Sequence, residues 1–275
     1  MSREVENFLA SFGYAESTKS AYRRILSRLV IIPDLHQLDA AALLDFLSHP
    51  GWGNSSKNVA IFCAQKFLRW KFGPNHPALS ARIPRIKPKP RRSLNPDRAL
   101  QVLASFDPYT AAGARDLALV AFGLDTGFRR AEICGVLLAD VDFYANTAAV
   151  ICKGGQWGYG PFSEQTAAIL RSWLAFRKPA DGVGNLFVSL KTGKALTGNG
   201  VACIFKRLTK ALGFKISAHD LRASFATLGT LYGMPSRVGQ EAGRWSSIEM
   251  FEHYTGNLRF EAARPYLPMA NLKKP

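Results

Sequence analysis

The composition of residues 81–96, ARIPRIKPKPRRSLNP, predicts a linker rather than a helix. Pro84, Pro88 and Pro90 remove backbone donors and favour extended backbone. Arg82, Arg85, Lys87, Lys89, Arg91 and Arg92 crowd the same stretch with no acid to balance them. The chain therefore divides near residue 90, with a unit at 1–80, a linker at 81–94 and a second unit at 95–275. A length of 275 residues fits that division, since it is long for one core. The linker reads either as a solvated hinge or as a basic strap laid along a phosphate backbone. The whole-chain charge favours the strap. Thirty-six Lys and Arg against twenty Asp and Glu leave +16, which points to a polyanionic partner. A basic ribosomal or membrane-surface protein would carry the same sign.

An apolar fraction of 47% is that of an ordinary globular protein. No apolar run approaches the ~18 residues of a membrane span, so no membrane partner is expected. The opening MSREVENFLASFGY lacks the basic-then-apolar layout of a secretory signal. Cys63, Cys134, Cys152 and Cys203 show no CxxC spacing, so they read as small buried hydrophobes in a reducing cytosol. The expected location is cytoplasmic, nucleoid-associated in a prokaryote.

Before the linker the pattern is helical. Ser17 or Thr18 caps a helix with Tyr22, Ile25, Leu26 and Leu29 on one face. Asp39 caps a second, with Leu43, Leu44 and Leu47 inward, and Ser55 or Ser56 opens a third carrying Val59, Phe62, Phe67 and Trp70. His36, His49 and His76 stand apart in surface-like loops. After the linker, Asn95-Pro96 starts a helix, and 117–127 is a buried helix ending at Gly127. TAAVICKG (147–154) and QWGYGPF form a hairpin. Helices follow at 163–177, 197–212, 218–232 and 247–256, with NLFVSL (185–190) a candidate strand. The class is mainly α with a small β-sheet.

Four short motifs carry chemistry. TGFRRAEI (126–133) puts Arg129 just past a glycine break, CKGG (152–155) puts Lys153 at a hairpin bend, and HDLR (219–222) sets His219 and Arg222 on one helical face. GRWSSIEMFEHYTG (243–256) then places Tyr254 nine residues after Trp245. In this order and spacing the elements resemble the tyrosine recombinase, or phage integrase, family across residues 95–260. The preceding helices resemble that family's core-binding domain, of SAM-like type.

The resemblance implies a helical core-binding domain joined to a mixed α/β catalytic domain, in a simple two-domain layout of Xer or Cre type that clamps double-stranded DNA. It implies that Tyr254 attacks a phosphodiester to leave a 3′-phosphotyrosine, and that Arg129 and Arg222 hold the oxyanion. Lys153 is the implied general acid, and His219 binds the phosphate or assists proton removal from Tyr254. Trp245 stands where many members have histidine; its indole N–H can donate but cannot act as a base. Glu132 matches an orienting acidic position. A synaptic homo-tetramer is implied, with LRFEAARPYLPMANLKKP (258–275) docking on a neighbour. No cofactor and no metal are implied, because cleavage and rejoining are isoenergetic.

Two departures stand out. Ala223 follows Arg222 where histidine is frequent, and the hairpin KGGQWGYGPF is glycine-rich, which predicts a flexible arm around Lys153. Arg130 reads as a surface charge, His253 as structural or surface, and Tyr159 and Tyr232 as packing. Two other functions share parts of this pattern. A type IB topoisomerase would use similar chemistry, and a non-enzymatic DNA-architectural protein would keep only the charge and the linker.

Neutralising the six basic linker residues is expected to weaken DNA binding and flatten its dependence on log salt, by about 0.9 for each phosphate that is no longer neutralised. Filter or fluorescence titration between low and moderate salt reads the slope; an unchanged slope makes the stretch a plain hinge.

Overall fold

The computed structural model describes residues 3–48, 54–83, 92–152 and 155–255. Two compact units meet in sequence between Pro88 and Lys89. Of the linker cations, Arg85, Lys87, Lys89 and Arg91 lie outside the described residues, as do His49, Lys153 and the tail 256–275.

The first unit is built from α1 (Arg3–Ala10), α2 (Glu16–Leu29), α3 (Ala40–Leu47) and α4 (Asn54–Phe72), followed by a 3-10 turn at Pro77–Ser80. Asp39 caps α3 as expected, accepting from the Ala42 amide at 2.8 Å. Helix α2 starts earlier than its Ser and Thr allowed: Ala15 is the N-cap, and Ser17 and Thr18 sit in the first turn without a capping bond. Its expected face is correct, with Tyr22, Ile25, Leu26 and Leu29 all buried.

Helix α4 corrects the sequence reading more sharply. It begins at Asn54, ahead of Ser55. Of its four expected core residues only Phe67 is buried; Val59, Phe62 and Trp70 are exposed. The buried stripe is Ala60, Cys63, Ala64, Phe67 and Leu68. Small residues let the helix approach its neighbours closely, and the large rings are left on its shoulders. There Lys66 lies over the rings of Phe12, Tyr14 and Phe62, at 5.1, 5.1 and 5.4 Å. His76 is likewise no surface histidine. It is buried, with Nε2 2.8 Å from the Leu35 carbonyl.

The second unit centres on α6 (Ala111–Thr126), apolar on nearly every side and therefore buried on nearly every side. α8 (Glu164–Phe176) and α10 (Ala218–Leu231) pack against it. Around this trio stand α5 (Pro96–Ala104), capped by Asn95, then α7 (Arg130–Gly135), α9 (Gly198–Leu212), α11 (Ser236–Ala242) and α12 (Ile248–Thr255). Trp173 of α8 is fully buried and donates from its indole N–H to the Leu186 carbonyl at 3.0 Å. The expected strand at 185–190 is absent. That segment makes only isolated bridges, Leu137 with Asn185 and Val188 with Ala195, because neither neighbour runs beside it far enough to form a ladder.

An antiparallel sheet of β1 (Val141–Asp142), β2 (Thr147–Ile151) and β3 (Trp157–Pro161) completes the unit. Along β3, Gly158 and Gly160 face inward while Trp157 and Tyr159 face solvent, so Tyr159 does not pack, nor does the exposed Tyr232. The two glycines serve close approach rather than flexibility. A Cβ at Gly158 would lie 2.5 Å from Cys152 Sγ and 2.6 Å from Arg244 Cδ, and one at Gly160 would strike the Phe128 ring. Cys63 is buried, and burial pushes its thiol up to about 12. Cys203 is exposed, against expectation, because it lies on the solvent side of α9.

Trp173→Ala is expected to cost about 3–5 kcal/mol, the range for deleting a buried aromatic. Urea unfolding of the intact chain checks this; a loss under ~1 kcal/mol would place Trp173 outside the core.

Candidate active site

Helix α6 ends on Gly127 in the left-handed region, φ +58°, where a side chain would be strained and would meet Phe225. That reversal lets the chain turn at once into α7, with Arg129 as its N-cap residue and Glu132 in its first turn. Glu132 is 5% exposed and accepts from the Arg129 backbone N–H at 2.8 Å and from Arg129 Nη1 at 2.7 Å. Burial alone would raise its pKa. The two bonds from Arg129, with the charges of Arg244 and Arg129, overcome burial and hold the carboxyl below its ordinary value.

Helix α10 supplies His219 in its first turn and Arg222 one turn later. His219 is exposed, whereas Arg222 is 2% exposed. Arg222 Nη1 donates to the Gly127 carbonyl at 2.5 Å, and the guanidinium carbon sits 4.0 Å from the centre of the Trp245 ring. Burial, then repulsion from Arg129 and Arg244, lowers the Arg222 pKa to about 10, so it stays charged near neutrality. Its Nη2 is buried with no hydrogen-bond partner. A buried, unpaired donor on a cation is costly, and an oxyanion is the group that would satisfy it.

Trp245 lies between α11 and α12. It is buried against Phe225 and Phe251, at 6.0 and 5.2 Å, and serves as the wall for Arg222. Tyr254, in the last turn of α12, is half-buried, with its ring 5.4 Å from Trp245 and 6.1 Å from His219. One cleft of about 500 Å³ is lined by Arg129, His219, Arg222, Trp245 and Tyr254 together, with Arg130, Ser217 and Met250 at its margin. Five expected residues thus share one cavity, and Glu132 stands behind Arg129. Lys153 lies outside the described residues.

Two linker cations are described. Arg82 folds back onto the Leu79 and Ala81 carbonyls, both at 2.8 Å, and Arg92 lies 3.6 Å from the Asp220 carboxylate. His253 is exposed, the surface one of its two readings. Sequence reasoning missed Arg244 altogether. Its side chain is 10% exposed and lies 3.7 Å from Glu132. Its only sequence signal is its place in GRW, immediately before Trp245.

Glu132→Gln is expected to lower stability at neutral pH by about 1–3 kcal/mol, through the weakened bonds to Arg129. Because the folded pKa is depressed, the carboxylate's contribution is present above the ordinary value of 4.5 and is lost as pH falls through the folded one. The gap between variant and wild type should therefore close in acid. Urea midpoints at neutral and acid pH read it, and a gap independent of pH would remove Glu132 from this role.

The profile of the phage integrase family matches residues 92–259. The tyrosine recombinase XerC of Anoxybacillus flavithermus is 30% identical over 203 residues, 68% of this chain and 66% of that protein. XerC of Xylella fastidiosa strain M23 is 27% identical over 263 residues, 87% of this chain and 88% of its own. Among solved structures, the Tn1549 transposon integrase in complex with transposon right end DNA superposes with a TM-score of 0.76 at 15% identity, covering 96% of both chains. The XerH recombinase bound to palindromic difH, a post-cleavage complex, gives 0.72 at 20% identity over 90% of this chain and 79% of that one. These likenesses establish the fold. With the matched profile covering more than half its length, the chain belongs to the phage integrase family, the tyrosine recombinases.

Proposed function

We propose that this tyrosine recombinase, a site-specific recombinase, cleaves duplex DNA by attack of Tyr254 Oη on a backbone phosphorus. The P–O5′ bond breaks, a 3′-phosphotyrosine forms, and the free 5′-hydroxyl of a partner strand reverses the step. Negative charge builds on the non-bridging oxygens as the phosphorus becomes five-coordinate. Arg129 and Arg222 meet that charge as fixed, low-reorganisation donors, and the Trp245 indole N–H adds a neutral one. His219, next to Tyr254, accepts the phenolic proton or donates to the phosphate. Lys153 hands a proton to O5′ as it departs.

The observation that carries this reading is the buried, unpartnered Nη2 of Arg222 in the same cleft as the Tyr254 ring. An oxyanion receptor and a nucleophile share one cavity. DNA as the partner is supported by the +16 charge and by the DNA complexes of structurally similar recombinases. Assembly as a synaptic tetramer, cytoplasmic location and phosphate contacts by the linker cations belong to the same proposal. Residues 1–80 act in it as the core-binding domain and 95–275 as the catalytic domain.

Tyr254→Phe removes one oxygen from a half-buried ring, so folding and DNA affinity should stay near wild type. The covalent protein–DNA adduct, trapped on a nicked suicide substrate and seen as a shifted band on a denaturing gel, should vanish. An undiminished adduct ends the nucleophile assignment.

A further inference from the structure

Arg244 is the residue in this unit whose conformation most needs explaining. It is one of two described non-glycine residues with positive φ, at +57°, a conformation that costs about 1 kcal/mol or more. A glycine here would relieve the strain, yet the position holds the largest cation available. Two of its three guanidinium nitrogens are spent on the chain itself, while Nε is buried with no hydrogen-bond partner. Nη1 donates to the Ala242 carbonyl at 2.6 Å and the Tyr159 carbonyl at 2.9 Å, and Nη2 donates to the Thr126 carbonyl at 3.1 Å. The same Nη2 lies 3.7 Å from Glu132 Oε2, and the guanidinium carbon is 4.3 Å from the centre of the Phe128 ring. The Cys152 thiol lies beside it. The bare inner face of β3 is the space this side chain occupies, since any Cβ at Gly158 would collide with Arg244 Cδ.

One side chain therefore joins its own turn into Trp245 to the β2–β3 hairpin and to the stretch that holds both the end of α6 and Glu132 behind Arg129. The turn carries Trp245 and the α6–α7 stretch carries Arg129, both of which line the cleft. The hairpin is bonded through Cys152 directly to Lys153. We infer that Arg244 is a positioning residue for strand cleavage: it holds the hairpin in register with the Arg129–Glu132 pair and so sets where the proton donor stands. The inference rests on the reading of Lys153 as general acid. A planar fork is required for this role because the acceptors lie on three separate segments, which a lysine ammonium cannot span together. The charge of Arg244 also helps keep Glu132 ionised, so the oxyanion clamp and the hairpin share one anchor.

A residue that merely stabilised the fold would slow every substrate alike. A residue that places the general acid should be bypassed when the leaving group needs no proton. The test compares ordinary DNA with DNA whose bridging 5′ oxygen at the cleavage site is replaced by sulfur. The sulfur substrate expels a thiolate, which departs unprotonated. Full-length Arg244→Lys is expected to cleave ordinary DNA about 10–100-fold more slowly, the scale for a reacting group displaced by about 1 Å. On the sulfur substrate it should return to near the wild-type rate, as should Lys153→Ala.

Gly158→Ala, which pushes β3 away from Arg244 without touching any charge, should show the same recovery. It decides the matter if Arg244→Lys melts below the assay temperature. Equal slowing on both substrates by the folded Arg244 or Gly158 variants, with Lys153→Ala still rescued, overturns the role of Arg244 alone. So does a wild-type rate on ordinary DNA. If Lys153→Ala itself is not rescued, the general-acid reading falls and this inference falls with it.

Discussion

A guanidinium group taken out of water must be compensated locally, and much of the second unit is arranged around that demand at Arg222. Desolvating such an ion costs several kcal/mol even after relaxation. One donor is met by the Gly127 carbonyl and the flat face by Trp245. Gly127 can present that carbonyl because the chain reverses there in a left-handed conformation, and Trp245 reaches its place because α11 and α12 fold back onto α10. Nη2 is left without a protein partner. The fold thus satisfies the cation in part and leaves the remainder for a ligand.

The electrostatics extend the same logic. Arg129, Arg222 and Arg244 act on one another, and within this group Glu132 is the counter-charge. Three cations against one carboxylate leave an excess of two positive charges. In the proposed reaction a phosphodiester brings one negative charge and its five-coordinate transition state approaches two, so an excess of positive charge would favour the activated species over the resting one. Glu132 keeps the arginines from repelling each other out of place, which is why a buried acid stands in a site built for an anion.

Much of this was legible in the chain. Asn95-Pro96, Asp39 and Gly127 announced helix ends through local chemistry that tertiary packing did not override. The cleft residues were legible because order and spacing, rather than any one residue, defined them. What escaped has common physical causes. Helix α4 hides its contact face behind alanines and a cysteine, so ranking residues by size points to the wrong side. Buried His76 is held by the Leu35 carbonyl, a partner 41 residues away that periodicity cannot reveal. Arg244 depends on a positive φ and on carbonyls from three segments, none of which has a local signature. The glycines of β3 were visible, but their purpose was not, since flexibility and close packing call for the same residue.

That glycine pattern bears on how the hairpin finds its pairing. Two-stranded ribbons are prone to misalign by one position, which exchanges the inner and outer faces. Here such a slip would turn Trp157 and Tyr159 toward Phe128 and Arg244, where not even a methyl group fits beside the strand. The competing alignment is therefore excluded by volume, without any attractive contact having to favour the correct one. The bare inner face of β3 thus fixes the register of the sheet by exclusion.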